Sequence, residues 1–370
     1  MPHRICHIST AHSTYDTRVF QKECVSLANA GFDTHLVVQG IDELKDGVHI
    51  HGLRRPVGRL DRMTKLVDEA YQIAVGINAD LYHLHDPELL RIALKLKRDG
   101  KIVVFDSHEF YRYQIAEKEY LSKAIAKTAS LVYGWYETHV CSRIDAVIIP
   151  CTKGGANPFN NCARRTAIVD NYPILSVSEV PPQFTRIKRD SVCYVGSLTR
   201  SRGITQFVLA AHSAGVRAIL AGPISDDYKK ELQAMPEYEC VDYRGVLDRA
   251  GVESVIAECF CGTAALLDVG QYWAVDNLPT KAYEYMAGGI PFIMSPTPFA
   301  KQFVDDYPCC QLANPEDIIA YAGAIRALRD NPDNAYSMAK VGYKALTMRF
   351  NWHQEEQRLF GLYEDLLKTT

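Results

Sequence analysis

The sequence predicts an α/β protein with two doubly wound domains in tandem. Short apolar runs alternate with helix-length amphipathic stretches from one end of the chain to the other, a pattern typical of parallel sheets covered by helices. The alternation breaks once, at 173–189, where three prolines and polar residues without a helical period indicate a linker. At 370 residues, the chain is long enough for two domains of ordinary size.

In the first half, near-continuous apolar runs predict strands that are buried on both faces of a sheet. These strands are predicted at 4–8, 34–38, 81–84, 102–105, 146–149 and 167–169. Amphipathic stretches between them predict helices at 18–29, 62–78, 87–97 and 117–140. Because strands and helices alternate, we expect the strands to pair in parallel.

The same alternation resumes after the linker. Strands are predicted at 192–195, 218–220, 240–243, 264–267 and 292–294. Helices are predicted at 205–213, 228–233, 249–259, 281–287, 315–329 and 334–350. The last stretch, 352–367, carries an apolar stripe at helical spacing, and its simplest interpretation is a helix that packs onto its own domain.

Composition excludes some functional classes. The net charge is −3, with no basic excess of the kind that nucleic-acid-binding proteins show, so we expect no nucleic-acid partner. The 11 cysteines lack metal-binding pair spacing, which indicates reduced thiols. Without a signal-peptide pattern or an apolar run of membrane-spanning length, the chain is expected to be cytoplasmic, with peripheral contact to the inner face of a membrane as an option.

Polar residues follow three of the predicted first-half strands. The loop 9–17 is rich in hydroxyl and imidazole groups and lacks the G-x-G-x-x-G fingerprint, so it either contacts a polar ligand or caps the next helix through Asp16 or Thr17. Asp86 is predicted to cap a helix, with Pro87 in the first turn. His83 and His85 are interpreted as facing opposite sides of their strand, which argues against a shared metal site. His108 follows a buried strand together with Asp106 and Glu109. Its imidazole can transfer a proton or hydrogen-bond a sugar hydroxyl; a lone histidine is more often structural, but its place at the carboxyl end of a strand favours a functional role.

Two second-half segments indicate a phosphate site. The loop after strand 192–195 carries Gly196, which allows close backbone approach, and two arginines that either neutralise phosphate or are solvated. Segment 276–291 opens a helix near Thr280, and a helix N-terminus binds anions. Lys281 lies in that first turn, where the helix dipole disfavours a cation, so a nearby anion is the natural explanation. Glu284 lies one turn further along, within reach of a ribose.

Taken together, these segments resemble the retaining glycosyltransferases of family 4, which have the GT-B fold of two Rossmann-like domains with a cleft between them and a C-terminal crossover helix. The resemblance covers nearly the whole chain and rests on motifs in the family's order. They are HSTYDTR (12–18), HDPELL (85–90), DSHE (106–109), VGSL (195–198) with RG (202–203), LPTKAYEYMAGGIP (278–291) and FNWH (350–353).

The resemblance implies an acceptor-side domain, 1–175 plus 352–370, and a nucleotide-sugar-binding domain, 176–351. It assigns catalytic roles to His108, Asp276, Lys281 and Arg202. It assigns donor binding to Gly196, Ser197, Arg200, Arg202, Asn277, Leu278, Pro279, Thr280, Lys281 and Glu284. It assigns the acceptor side to His12, Thr14, Asp16, His85 and Glu109. No metal is expected, because positive groups take its place beside the leaving phosphate.

The sequence departs from the family pattern at two positions. Asp276 stands where a glutamate usually contacts the transferred sugar, and Ser197 stands where many members carry an arginine. By family habit the donor is a UDP-sugar, and the acceptor is a glycan or lipid-linked molecule in surface polysaccharide synthesis. Lysines and aromatic residues within 111–136 suit an anionic membrane face, or equally a solvated helix. A nucleotide-sugar epimerase of the same fold and a non-catalytic nucleotide-sugar-binding subunit remain alternatives.

Overall fold

The computed structural model describes residues 2–116, 122–175, 190–268 and 273–368. The chain forms two compact units. The first contains Met1–Asn171 together with Trp352–Thr370, and the second contains Tyr172–Asn351. Most of the predicted linker, 176–189, lies outside the described residues, as do Lys118 and Tyr120 of the basic and aromatic segment.

The first unit is built on one sheet, which has eight strands within the described residues. They are β1 (Arg4–Ile8), β2 (Asp33–Gln39), β3 (Glu43–Lys45), β4 (Val48–Leu53), β5 (Leu81–Leu84), β6 (Ile102–Asp106), β7 (Ala146–Ile149) and β8 (Thr166–Ile168). The strand order is β3-β4-β2-β1-β5-β6-β7-β8, and every pairing except β3 with β4 is parallel. The order reverses between β1 and β5, so their carboxyl ends form a topological switch point, where such sheets bind ligands.

Helices cover both faces of this sheet, as parallel strands require. They are Thr17–Cys24, Val25–Asn29, Arg59–Asp61, Arg62–Leu66, Val67–Ile77, Pro87–Leu89, Leu90–Arg98, Tyr111–Ala116, Lys123–Cys141 and Trp352–Leu367. The last of these belongs to the first unit, because Trp352 and Tyr363 are buried in the same core as Ile5. The Trp352 indole N–H also donates to Ser26 Oγ at 2.8 Å.

The second unit has one parallel sheet, with six strands within the described residues. They are β9 (Ser191–Val195), β10 (Arg217–Ala221), β11 (Val241–Gly245), β12 (Cys261–Thr263), β13 (Phe292–Met294) and β14 (Cys310–Leu312). The order is β11-β10-β9-β12-β13-β14, so the switch point lies at the carboxyl ends of β9 and β12. The helices are Arg200–Arg202, Ile204–Ala214, Asp226–Gln233, Pro236–Cys240, Arg249–Glu258, Thr280–Ala287, Pro298–Asp306, Ile318–Asp330 and Pro332–Met348.

The predicted α/β class of two mostly parallel sheets is confirmed, and several element bounds are corrected. The strand predicted at 264–267 is wrong, since β12 ends at Thr263. Residues 117–121 of the predicted helix 117–140 lie outside the described residues; the described part is helix Lys123–Cys141, and a helix Tyr111–Ala116 precedes it. The sequence analysis missed β3, β4, β14 and helix Pro298–Asp306. Among the described residues, no helix combines the length and apolar character needed to span a bilayer.

Candidate functional site

The loop after β9 requires glycine where it turns. Gly196 has φ +116°, a conformation that side chains rarely adopt, and its N–H donates to Ala221 O at 2.8 Å. A Cβ on Gly222 would lie 1.9 Å from Gly196 O, so the two glycine backbones cross in close contact. The loop after β9 is thereby held against the loop after β10 at the carboxyl ends of the strands, where sheets of this kind bind ligands.

Helix Thr280–Ala287 begins at the same end of the second sheet, between β12 and β13. The segment before it is ordered by Asn277, whose Oδ1 accepts hydrogen bonds from Leu278 N at 2.8 Å and from the Tyr283 hydroxyl. Pro279 precedes the first helical residue and provides no side-chain cap, while Thr280 is exposed. Ala282 N donates to Pro279 O at 2.8 Å, so the N–H groups of Thr280 and Lys281 are the ones that an anion at this helix N-terminus would bind.

Lys281 is the central charged group of this site. Its side chain is only 7% exposed, and its Nζ lies 4.6 Å from the centroid of the Tyr194 ring. A Cβ on Gly196 would lie 3.7 Å from Lys281 Cε, so the ammonium lies beside the glycine turn. Burial, followed by repulsion from Arg202, lowers the pKa of Lys281 to about 7. A buried cation in the first turn of a helix is stabilised by a bound anion.

The acidic groups of this segment lie on either side of Lys281. Glu284 is half-buried, its Oε1 lies 3.6 Å from Arg249 Nη1, and burial raises its pKa. Asp276 is half-buried and lies just before the helix. Among the described residues, none forms an ion pair with the Lys281 ammonium within 4.0 Å, although the Glu284 charge attracts it.

The two arginines of the loop differ in their surroundings. Arg200 is exposed, pairs with the Glu231 carboxylate and stacks at 4.6 Å on the Tyr228 ring. Arg202 is half-buried, and its charge acts on Lys281. Ser197 is exposed. The structure therefore brings Gly196, Arg202 and Lys281 together and directs the Arg200 guanidinium to Glu231 instead.

In the first unit, Asp86 occupies the predicted N-cap position before Pro87, and its backbone oxygen accepts from Leu89 N at 3.0 Å, but its side chain does not make the capping hydrogen bond. Its Oδ2 accepts hydrogen bonds from Thr10 N at 2.6 Å, Ser9 Oγ at 2.9 Å and Ala11 N at 3.1 Å. Pairing of β1 with β5 brings the two strand ends together, and this tertiary contact outweighs the local capping preference. Asp86 thus fixes the loop after β1.

That loop uses two of its predicted acceptor-side residues for its own structure. Asp16 Oδ1 accepts hydrogen bonds from Arg18 N at 2.8 Å and Val19 N at 2.9 Å, so Asp16 caps the following helix. Thr14 Oγ1 donates to Gln39 O at 2.7 Å. Capping was one of the two interpretations that the sequence left open for this loop, and the structure shows it for Asp16.

Three predicted histidines meet at the switch point of the first sheet. The His12 and His108 rings lie 4.8 Å apart, and His85 Nδ1 lies 3.0 Å from His108 Nε2. Burial alone would lower the pKa of His12, but hydrogen bonding and charge attraction from Asp86 raise it above its ordinary value. Burial and the neighbouring His83 lower the pKa of His85 well below its ordinary value. Glu109 is half-buried, one residue beyond His108.

The prediction that His83 and His85 face opposite sides is wrong. Residues two positions apart on a strand share a face, and their rings are 4.4 Å apart. Sequence reasoning also missed His7, Glu23 and Arg18, which are buried beside them. The signal available was a histidine inside each of two otherwise apolar strands, since a polar residue at such a position needs a partner.

Comparison with protein-family models finds no match, and comparison with curated proteins finds none either. The fold, however, is shared by solved structures over essentially the full length of both chains. Sucrose-phosphate synthase from Thermosynechococcus elongatus has a TM-score of 0.76 at 17% identity, covering 100% of each chain. Anabaena HepE in complex with UDP and glucose has 0.68 at 16% identity, covering 98% of this chain and 100% of its own.

A third similar structure is the UDP-forming α,α-trehalose-phosphate synthase from Burkholderia vietnamiensis, with a TM-score of 0.70 at 12% identity and full coverage of both chains. Because these identities are low, the similarity by itself shows the fold alone. The two parallel sheets, the strand orders and the return of the last helix to the first unit identify the chain as a protein with the GT-B fold.

Proposed function

We propose that this protein is a retaining glycosyltransferase that transfers a sugar from a UDP-sugar to a glycan or lipid-linked acceptor. The observation that carries the proposal is Lys281, a buried ammonium at a helix N-terminus beside a glycine turn and near a second cation. A diphosphate supplies the negative charge that this arrangement needs. The UDP complexes of Anabaena HepE, on the same fold, support this choice of ligand.

In this proposal, the second unit stabilises the leaving diphosphate. Lys281, Arg202 and the first-turn N–H groups balance the charge that grows on the β-phosphate as the bond to the anomeric carbon breaks. Glu284 binds the ribose hydroxyls, and Asp276 contacts the transferred sugar. The acceptor oxygen forms the new bond on the same face, and its proton passes to the leaving phosphate. These positive groups replace a metal ion at the diphosphate.

His108 is proposed to contact the transferred sugar from the first unit. Its ring lies beside His12 and within hydrogen-bonding distance of His85. A sugar hydroxyl close to His108 would therefore have several hydrogen-bonding groups around it. The loop that carries His12 and Thr14 faces the acceptor in this interpretation, with Asp16 and Asp86 fixing its backbone. Glu109 follows His108 and belongs to the same acceptor side.

A nucleotide panel tests the function. We expect calorimetry to show binding of UDP or a UDP-sugar in preference to other nucleoside diphosphates, and product analysis to show transfer to an added acceptor with retained anomeric configuration. Binding unaffected by EDTA would agree with a diphosphate site that lacks metal. Epimerised nucleotide-sugar formed without acceptor would support the epimerase alternative, tight binding without transfer or hydrolysis would support a non-catalytic subunit, and no binding at all would overturn the proposal.

The pH dependence of binding follows from Lys281. Its pKa of about 7 lies below the ordinary value of 10.5, so the free protein loses this charge as the pH rises above 7. A bound diphosphate restores the charge, and binding therefore takes up a proton. Between pH 7.5 and 9 we expect the Kd for UDP to rise by up to about tenfold per pH unit. A flat profile in the wild type would contradict this account, and Lys281→Met serves as the flat control.

The two loop arginines provide a second contrast. We expect Arg202→Ala to weaken UDP binding by at least about tenfold, because a charge-assisted hydrogen bond contributes about 1.5–3 kcal/mol. Arg200→Ala should change the Kd by less than about twofold, since its guanidinium is exposed and already paired with Glu231. Calorimetry on both variants measures the difference. Equal losses would show that Arg200 leaves Glu231 to bind phosphate.

The proposed lipid-linked acceptor rests on helix Lys123–Cys141. Its outer face exposes a group of large apolar side chains, and the Trp135 side chain is 71% exposed. The group contains Ile125, Leu131, Val132 and Trp135. Lys123 and Lys127 lie on the same exposed part of the helix. Apolar residues flanked by lysines suit the interface of an anionic bilayer.

Vesicle co-sedimentation tests this surface. We expect the protein to bind phosphatidylglycerol-containing vesicles, and the variant Lys123→Gln/Lys127→Gln/Trp135→Ala to bind them at least about tenfold more weakly, because each lysine contributes about 1 kcal/mol at such a surface. Ile319→Ala/Lys344→Gln, on exposed positions of the second unit, is the matched control. Equal binding by the wild type and the triple variant, or none by either, would show that this face is solvated.

A further inference from the structure

Four buried side chains of the first unit converge on one point. His7 comes from β1, Glu23 from helix Thr17–Cys24, His83 from β5, and His85 follows β5 directly. All four are buried, and Glu23 is only 1% exposed. One donor atom from each residue lies within 4.8 Å of those of the other three. We refer to these four residues as the buried histidine cluster.

The donor atoms of the cluster have the spacing of a metal site. Glu23 Oε2 lies 3.7 Å from His7 Nδ1, 3.7 Å from His83 Nδ1 and 3.8 Å from His85 Nε2. His7 Nδ1 and His85 Nε2 are 2.8 Å apart. Tetrahedral ligands of Zn²⁺, at about 2.0–2.2 Å from the ion, lie about 3.3–3.6 Å from one another. Since any two of the four donors are at most 4.8 Å apart, side-chain shifts on the order of 1 Å would bring all four to one ion.

The carboxyl group of the cluster also favours a cation. Both Glu23 carboxylate oxygens lack a hydrogen bond from the described residues. Arg18 pairs with both Glu23 and Asp106, so two buried carboxyl groups share one arginine.

For two of the three histidines, the surroundings provide the outer contacts that metal-bound histidines usually have, whereas His83 Nε2 has no hydrogen-bond partner among the described residues. The second ring nitrogen of His7, Nε2, lies 3.3 Å from the Tyr363 hydroxyl. That of His85, Nδ1, lies 3.0 Å from His108 Nε2, and His108 Nε2 lies 3.3 Å from Asp106 Oδ2. Such partners fix the tautomer and orientation of a ligand ring. The Tyr363 hydroxyl also contacts His83 Nδ1. If His83 Nδ1 bound the ion, the Tyr363 hydroxyl would keep only its contact with His7.

We propose that the buried histidine cluster binds one divalent transition-metal ion, with Zn²⁺ as the first choice. Three imidazoles and one carboxylate are a ligand set that Zn²⁺ accepts, and the absence of thiolates among these four residues disfavours softer ions. The ion links β1, β5 and helix Thr17–Cys24, and through Tyr363 it reaches the last helix. It is separate from the diphosphate site, which lies in the second unit, and its role is structural.

Metal analysis of the wild type is the first test. The protein is prepared without a polyhistidine tag, dialysed against metal-free buffer and analysed by mass spectrometry for zinc, iron, manganese, cobalt and nickel. We expect close to one equivalent of one of these metals. After chelation in mild denaturant and refolding, we expect Co²⁺ to produce the visible absorption of a tetrahedral site and added Zn²⁺ to raise Tm. Metal-free protein that takes up neither Co²⁺ nor Zn²⁺ would overturn the proposal.

Variants then locate the ion. We expect Glu23→Gln and His83→Gln, checked for folding by circular dichroism, to reduce the bound metal at least about tenfold, because each removes a ligand. His49→Gln/His51→Gln is the matched control, since His49 and His51 stack on His35 in a second group of histidine rings. Metal retained by the ligand variants, or lost in the control, would place the ion elsewhere. If a ligand variant fails to fold, the metal content and the Co²⁺ spectrum of the wild type still test whether the protein binds a metal ion.

Discussion

Replacing Lys281 with methionine is expected to weaken UDP binding and lower the transfer rate by about 10²–10³-fold, corresponding to about 2.7–4 kcal/mol of lost charge stabilisation. Methionine keeps the apolar length of the side chain beside Tyr194 and removes only the ammonium. Because the lysine is buried without an ion-pair partner among the described residues, the same change should leave the free energy of unfolding unchanged or raise it. The measurements are calorimetry with UDP and thermal unfolding without ligand.

Lys340→Met is the matched control for this experiment. Lys340 also places its ammonium over a tyrosine ring, at 4.1 Å from the centroid of Tyr336, but it is exposed and far from the helix N-terminus in sequence. It should bind UDP as the wild type does. If Lys281→Met binds UDP with unchanged affinity, the diphosphate site proposed for the second unit is wrong. Loss of binding together with a large loss of stability would instead indicate a packing role for Lys281.

The segment that we propose to bind phosphate was identified from sequence because its signal is local. A lysine in the first turn of a helix conflicts with the helix dipole, and this conflict is visible within a few residues. The structure adds what the sequence could not supply, namely the burial of Lys281 and the pairing of Arg200 with Glu231. Both depend on how separate elements pack. Residue type and spacing alone gave the two arginines the same predicted role.

The polar interior of the first unit could not be predicted because its contacts span long sequence distances. His7 contacts His85 only because β1 pairs with β5. For the same reason, the Asp86 side chain accepts a hydrogen bond from Thr10 N and not from its own helix. Local capping statistics favour Asp86 at the helix, yet three donors from the loop after β1 satisfy its carboxylate better. The pairing of β1 with β5 therefore determines both the histidine contacts and the partners of the Asp86 side chain, and neither could be read from local sequence.

The wrong strand in the second unit has a comparable cause. The apolar run from 259 to 267 fits a strand at several positions, so its pattern does not fix the bounds. In the structure, β12 places Gly262 against Tyr285, where a Cβ would lie 2.5 Å from the ring. Close packing of the helix Thr280–Ala287 on this glycine determines the strand position. Gly262 and Tyr285 are far apart in sequence, so the apolar pattern around Gly262 could not predict their contact.

Arg18→Met is expected to destabilise the first unit by about 3–5 kcal/mol, because it leaves a buried carboxylate without its partner. Arg18 donates to Asp106 Oδ2 through Nε at 3.0 Å and Nη2 at 2.8 Å, and to Val169 O at 3.1 Å. Burial alone would raise the pKa of Asp106, but Arg18 and then His108 hold it well below its ordinary value. This stabilisation is present above the unfolded-state pKa and is lost as the pH falls.

Urea unfolding of wild type, Arg18→Met, Asp106→Asn and the double variant measures the coupling between the two residues. We expect the double variant to be more stable than Arg18→Met, since a neutral amide at 106 no longer needs the cation. Arg4→Met is the control: Arg4 Nε contacts Asp33 Oδ2 at 2.6 Å, but the arginine is exposed, so its loss should cost less than about 1 kcal/mol. Equal costs for Arg18→Met and Arg4→Met would mean that Asp106 is protonated in the folded protein. In that case the buried charge would rest on Glu23, and the pH at which the first unit unfolds would no longer follow Asp106.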